Sequence, residues 1–376
     1  MLTDFAALSP LQKKLYSAKV IQAGRDQSFW MGQNGFMSEG LADSTKPIHL
    51  INELTETERG AKVLMPLVLD LQNDGIVDDN DLEGNEESLI ADYQELNISM
   101  LRNAVKRKGK MSEQKTVIRF RAQAKDKLAF WKAEKTDEIL FLVASGVAFT
   151  KTLKGADRSV TSQFSTLSFA ADVSAPSSGR VLYAGAATST GTLTANDKMS
   201  YTLIVKAKAQ AVYKKLKPIK INGTSSYVLV MHPFQSRDLK NDNDYKTAVI
   251  QASNRGSKNE FFTGAFVNID GIYLYEHNKV YNTLDATSGT QKWGAGLNID
   301  GAQALFMGAQ ALGWASIGEN EWGESDNTDY GNRVGISYGM MVGAVKAKFK
   351  SLEDKSAGIP TSQDFSLISI YTAAAA

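Results

Sequence analysis

Residues 61–100 read AKVLMPLVLDLQNDGIVDDNDLEGNEESLIADYQELNISM. Residues 61–71 form one predicted strand and residues 88–100 a second, while 72–87 between them are turn formers and acids. This is a long two-stranded hairpin, reaching on the order of 35 Å at about 3.3 Å per residue. Apolar residues fall on both faces of its first strand, and Pro66 confines that strand to an edge. An isolated ribbon of this kind is marginal in water. It needs another surface to lie on, and Leu67, Leu69, Leu96 and Ile98 are the side chains expected to pack there.

Charge separates the ribbon from the segment after it. Asp70 to Glu95 holds ten carboxylates and no Lys or Arg, with Asp78, Asp79, Asp81, Glu83, Glu86 and Glu87 at the tip. Arg102 to Lys132 holds eleven basic residues against Glu113 and Asp126 alone. The later part of that set, from Lys115 on, lies on a predicted helix from about 112 to 145, on which Val117, Phe120, Ala124, Leu128 and Trp131 make a narrow apolar stripe. At roughly 50 Å it is far longer than an average globular helix. Arg121, Lys125 and Lys132 line one flank of the stripe. Three readings fit: two solvated faces of opposite sign, an acidic ribbon lying over the basic spine of another copy, or DNA contact by some of the bases. In the second reading, complementary potentials set register and partner choice more than raw affinity.

Outward from ribbon and spine the chain is less regular. Ser9, Pro10 and Gln12 signal a helix start for residues 9–26. The first fifty residues look like an arm without a core of its own. Residues 150–199, rich in Ser, Thr, Ala and Gly, read as loops and short strands, and 197–215 as a helix. Strands are expected at 227–233, 271–277, 334–342 and 366–372, and a helix at 242–254. The segment 301–318, where GAQAL occurs twice seven residues apart, reads as a buried helix with small residues on one face.

The 376 residues suggest two domains, or one with large excursions. A net charge of +1 argues against a dedicated nucleic-acid binder. The absence of cysteine removes disulfides, thiolate metal sites and cysteine nucleophiles. No signal peptide or membrane span is read, so a protein made and used without export is expected. Gly335-Ile336-Ser337-Tyr338-Gly339 matches a nucleophile elbow, but the last histidine, His277, precedes the serine, and strand alternation explains the same residues. Asp70, Gln72, Asp74, Gly75, Val77 and Asp81 imitate a calcium loop without its bidentate Glu. No catalytic, cofactor or metal site is therefore assigned.

The strings 51–89, HPFQSRDL (232–239), NEFFTGAF (259–266), GAQALGWA (308–315) and DYGNRVGISYG (329–339) occur here in that order. Together they resemble the major capsid proteins of tailed bacteriophages of the podophage type. The resemblance implies an α+β fold of the Hong Kong 97-like kind. It implies an N-arm at 1–50, an extended loop at 51–105, a peripheral domain with its spine helix at 106–219, an axial domain at 220–330, and a return to the peripheral domain at 331–376. The implied function is a subunit of the icosahedral shell around double-stranded DNA, assembled in the host cytoplasm into pentamers and hexamers. The implied partners are copies of itself, a separate scaffolding protein, a portal protein and a decoration protein. An encapsulin-like compartment with protein cargo is the alternative on the same fold, and a serine hydrolase the remote one. With no lysine between Lys62 and Lys106, the ribbon tip offers none for a crosslink.

Overall fold

The computed structural model describes residues 18–20, 22–24, 27–32, 36–38, 45–51, 62–68, 75–78, 80–81, 83–84, 86, 91–115, 120–221, 224–252, 268–317, 322–325, 332–349 and 362–375. In chain order its elements are β1 (Ile48–Ile51), β2 (Lys62–Val68), β3 (Ala91–Asn97), β4 (Ser99–Lys106), α1 (Lys110–Gln114), α2 (Phe120–Ser145), β5 (Val181–Tyr183) and α3 (Tyr201–Tyr213). Next come β6 (Ile219–Ile221), β7 (Thr224–Met231), α4 (Pro233–Asn241), α5 (Asn243–Ala252), β8 (Asn268–Ile269), β9 (Ile272–Glu276) and β10 (Gly301–Met307). The chain closes with β11 (Leu312–Ile317), β12 (Trp322–Ser325), β13 (Gly335–Lys346), β14 (Lys348–Phe349), β15 (Gln363–Asp364) and β16 (Leu367–Ala373).

Two mixed sheets organise these elements. The first runs β1-β11-β13-β12, with β4 also paired along β13; the second runs β5-β16-β10-β7-β9-β8, with β6 on β7. Alternation along the second sheet explains its layering. Val228, Val230, Leu305, Met307 and Leu367 join Leu128, Leu140 and Val143 of the spine helix α2 in one core. Leu229, Met231, Phe306, Ile368 and Ile370 join Leu203, Ile204 and Ala207 of α3 in another. β11 lies in the first sheet and β10 in the second, while β16, expected with the peripheral return, sits between β5 and β10.

The spine is sharply ended. Val147 N–H donates to Leu142 O and Gly146 N–H to Val143 O, both at 3.1 Å, the paired bonds of a Schellman motif. Gly146 has φ +65°, the left-handed conformation that motif demands. Among the described residues of the first fifty, Val20, Trp30, Phe36 and Ile48 belong to the core. Ser28 Oγ donates to Asp137 of the spine at 2.6 Å, and the Phe29 and Trp30 N–H groups donate to the same carboxylate. Phe29, Trp30 and Phe36 stack among Phe141, Tyr275 and His277. Burial pushes the Asp137 carboxyl above its ordinary range, against the pull of these donors and of Lys279.

Residues 301–318 correct the helical expectation: they contain two strands joined by a turn. β10 lies between β16 and β7 and is buried along its whole length. A strand covered on both faces shows a continuous apolar run, which periodicity does not separate from a buried helix. The GAQAL copies are consequently unlike. The first opens β10, and the second spans the turn, with Gln310 at φ +56°. A side chain at Gly308 would place its Cβ 2.2 Å from the Lys217 carbonyl oxygen. Gly308→Ala is thus expected to lose about 1–3 kcal/mol through backbone displacement. A thermal melt of the unassembled subunit checks this, and an unchanged midpoint would mean that the turn yields freely.

Candidate subunit interface

The ribbon forms as the expected two-stranded antiparallel pair, with Lys62 opposite Asn97 and Val68 opposite Ala91, and with β2 at the edge where Pro66 can sit. Its base is half covered by its own chain. Val63, Met65, Leu67 and Leu96 are buried against Ile51, Ala315, Val345, Ala347, Phe349 and Phe365, and Ile98 packs beside them. Two of the expected contact residues, Leu67 and Leu96, therefore anchor the ribbon to the body; Leu69 lies outside the described residues. The other face of the ribbon carries exposed Leu64 and Tyr93.

At the tip, Asp78, Asp81, Glu83 and Glu86 are exposed, and Asp79 and Glu87 lie outside the described residues. The tip is shaped by its own bonds. Asn80 Nδ2 donates to Val77 O at 2.6 Å, and Gly84 N–H donates to Glu86 Oε2 at 2.8 Å. Val77 stands in solvent among these carboxylates. Of the calcium-like set, Asp70, Gln72 and Asp74 lie outside the described residues.

On the spine, Arg121 donates to Glu324 Oε2 at 2.9 Å, in a pair largely withdrawn from water. Lys132 is buried, its Nζ 5.9 Å from the Tyr338 ring. Lys125 is partly exposed and lies 3.3 Å from Asp126. Arg121 and Lys132 thus have partners within their own chain, where they join the spine to the first sheet. Sequence placed them on an outer flank because a charge on an amphipathic helix is normally solvated. Burial by β12 and β13, distant in sequence, overrides that default. Ser337 lies inside β13, paired with Gly323 on one side and Ala104 on the other, with its hydroxyl toward Gly323 O. A nucleophile elbow would instead need a sharp strand-to-helix turn.

A second polar centre ties the two sheets together. Lys346 at the end of β13 meets Asp364 of β15 at 3.1 Å. Ser177 donates its N–H and its hydroxyl to the same carboxylate, and Arg180 Nε donates to Asp364 O. Burial lowers the Lys346 pKa, while the carboxylate opposite favours the charged form.

A large interface also needs surface. The chain exposes 20,185 Å², whereas a compact monomer of its mass would expose roughly 15,000 Å². Sequence reasoning missed one uncovered face. α3 is apolar inward, through Leu203, Ile204, Ala207 and Ala211, and again outward, where Val205, Val212 and Tyr213 are exposed. The signal was present in YTLIVKAKAQAVY, whose only charged residues are two lysines.

Residues 4–376 match the model of a family described as phage capsid protein. The chain is 37% identical to the major capsid protein of Pseudomonas phage KPP25, over 99% of this chain and 98% of that one. Among solved structures it is similar to the capsid of Ralstonia phage GP4, with 27% identity, a TM-score of 0.75, and 94% and 92% of the two chains covered. The capsid of cyanophage Pam1 has the same fold, at 18% identity and a TM-score of 0.67, over 91% and 92% of the chains.

Proposed function

The chain belongs to the phage capsid protein family, and from that premise we propose how its parts build a shell. It is the major capsid protein of a tailed phage, a structural subunit of Hong Kong 97-like fold whose copies form the icosahedral capsid of the virion. The spine and the first sheet act as the peripheral unit, and the second sheet with α3, α4 and α5 as the axial unit around which pentamers and hexamers close. Assembly takes place in the host cytoplasm on a separate scaffolding protein, with a portal at one vertex and a decoration protein outside. Double-stranded DNA then fills the interior. A net charge of +1 suits a container wall, because each added phosphate contact would hold the packaged DNA with salt-sensitive affinity.

The ribbon carries the reading. It is anchored to its own body through Leu67 and Leu96, yet its acidic tip and the Leu64–Tyr93 face are exposed. The exposed carboxylates steer the tip onto a basic surface of a neighbouring copy, where Asp79, Glu87 and Leu69 add to the contact. Of the three spine bases expected to face it, Lys125 keeps the most exposure, although Asp126 already lies 3.3 Å from it. Reversing Asp78, Asp79 and Asp81 to lysine should reduce shell assembly at least tenfold at low salt, as read by sedimentation and negative-stain microscopy. Assembly equal to the unmodified chain across salt concentrations would refute electrostatic steering. The same images decide the shell itself, since a purified chain that never forms closed particles with scaffold present would count against it.

A further inference from the structure

The outward face of α3 is apolar where a surface helix should be polar. Val205, Ala209 and Val212 stand at i, i+4 and i+7 on one stripe, with Tyr213 beside it. Val205 is 38% exposed, Val212 58% and Tyr213 68%. The opposite face is already spent on the second sheet. A helix apolar on two faces is the pattern of a buried helix, so this one lacks half of its cover.

The rim of the stripe says what kind of cover fits. Residues 206–217 carry five lysines and no acid. Lys208 bonds Asp270, Lys214 donates to Gly179 O, and Lys217 donates to Gln310 at 2.8 Å. Lys206 and Lys215 are exposed, and no described residue pairs with them. A matching surface therefore needs a small apolar knob set among carboxylates. The chain has one at the ribbon tip, where Val77 is 68% exposed between Asp78, Asp81, Glu83 and Glu86. Both patches are open in the same molecule, so one copy does not cover its own.

We propose that the outer face of α3 receives the acidic ribbon tip of a neighbouring copy, with Val77 against Val205 and Val212 and the tip carboxylates facing Lys206 and Lys215. The proposal rests on the shell reading and names the receiving surface that Arg121 and Lys132, engaged with Glu324 and Tyr338, do not supply. An apolar crest between the lysines fits a protein knob better than a phosphate backbone, which takes its affinity from cations and hydrogen-bond donors.

The absence of cysteine makes the test direct. Val77→Cys and Val212→Cys, combined in one chain, should give a ladder of covalent multimers when assembled shells are treated with a short bis-maleimide. Each single variant and the unassembled double variant should give no ladder. Val212→Cys alone should label with maleimide in free subunits and be protected at least tenfold in shells. Protection without a ladder would assign the cover to another surface and overturn the tip as occupant; no protection would overturn the docking face altogether. Val205→Glu with Val212→Glu should cut shell yield at least tenfold while free subunits keep their circular dichroism and melting midpoint. Normal shells from that variant, or normal shells that lose only their DNA, would also overturn the proposal. Failure of the unmodified chain to form shells at all would instead remove the premise.

Discussion

Lys346→Met is expected to destabilise the subunit by about 3–5 kcal/mol, because it strands a carboxylate where water does not reach. Lys346 and Asp364 are 2% and 1% exposed. The pair sits where β13 of the first sheet ends and the chain turns through β15 toward β16 of the second. With the ammonium gone, the Asp364 carboxylate would keep the two donors of Ser177 but no opposite charge among the described residues. It would have to be buried unpaired, take up a proton, or pull the junction open. The combined change Lys346→Met with Asp364→Leu should recover most of the loss, since replacing both charges by apolar groups of similar volume is often neutral or stabilising. Guanidinium unfolding of unassembled subunits reads both effects. A single variant within about 1 kcal/mol of the parent would mean that the junction is wetter than its burial indicates.

The elements legible in sequence were those whose pattern is local. The ribbon strands, β7, β9, β13 and β16 announce themselves through alternation or short apolar runs between turn formers. α3 was expected within 197–215 and begins after Ser200, whose hydroxyl accepts from Leu203 N–H. The spine was legible as a helix, although the stretch read as one begins with the separate α1. What sequence hid depends on partners far along the chain. β10 and β11 looked helical because their neighbours, which cover both faces, are encoded elsewhere. Lys132 looked solvated because Tyr338 lies far away in sequence. The candidate interface was half legible: the acidic tip stood out by charge alone, but nothing local told that Leu67 and Leu96 would pack on their own body. The outer stripe of α3 was readable from its composition and became informative only once the inner face was seen to be occupied.

Acid should weaken the subunit well above the range in which ordinary carboxylates titrate. His232 caps α4, its Nδ1 accepting from Phe234 N–H, and His277 lies flat against Phe141 with its Nδ1 accepting from Lys279 N–H. Burial holds both imidazoles neutral, with pKa values lowered to about 4. Glu276 opposes that shift at His232, while Lys154 adds to it; Lys279 adds to it at His277. In the unfolded chain each titrates near 6.5. Above that pH both states are neutral and the histidines add no pH dependence. As pH falls from 6.5 toward 4 the unfolded chain takes up protons that the folded chain refuses, so stability drops. The slope is up to about 1.4 kcal/mol per pH unit for each histidine, and the loss about 3 kcal/mol for each once the window is crossed. Asp137 works the other way. Its raised pKa makes the folded state the better proton acceptor, which offsets part of the loss toward the bottom of the window. Urea unfolding of free subunits at pH 7.5, 6 and 5 should therefore show a falling midpoint, and His277→Phe should remove roughly half of the fall while keeping the stack on Phe141. The pH window separates this from carboxylate-driven acid unfolding, which would leave the midpoint flat from pH 7.5 to 5 and insensitive to His277.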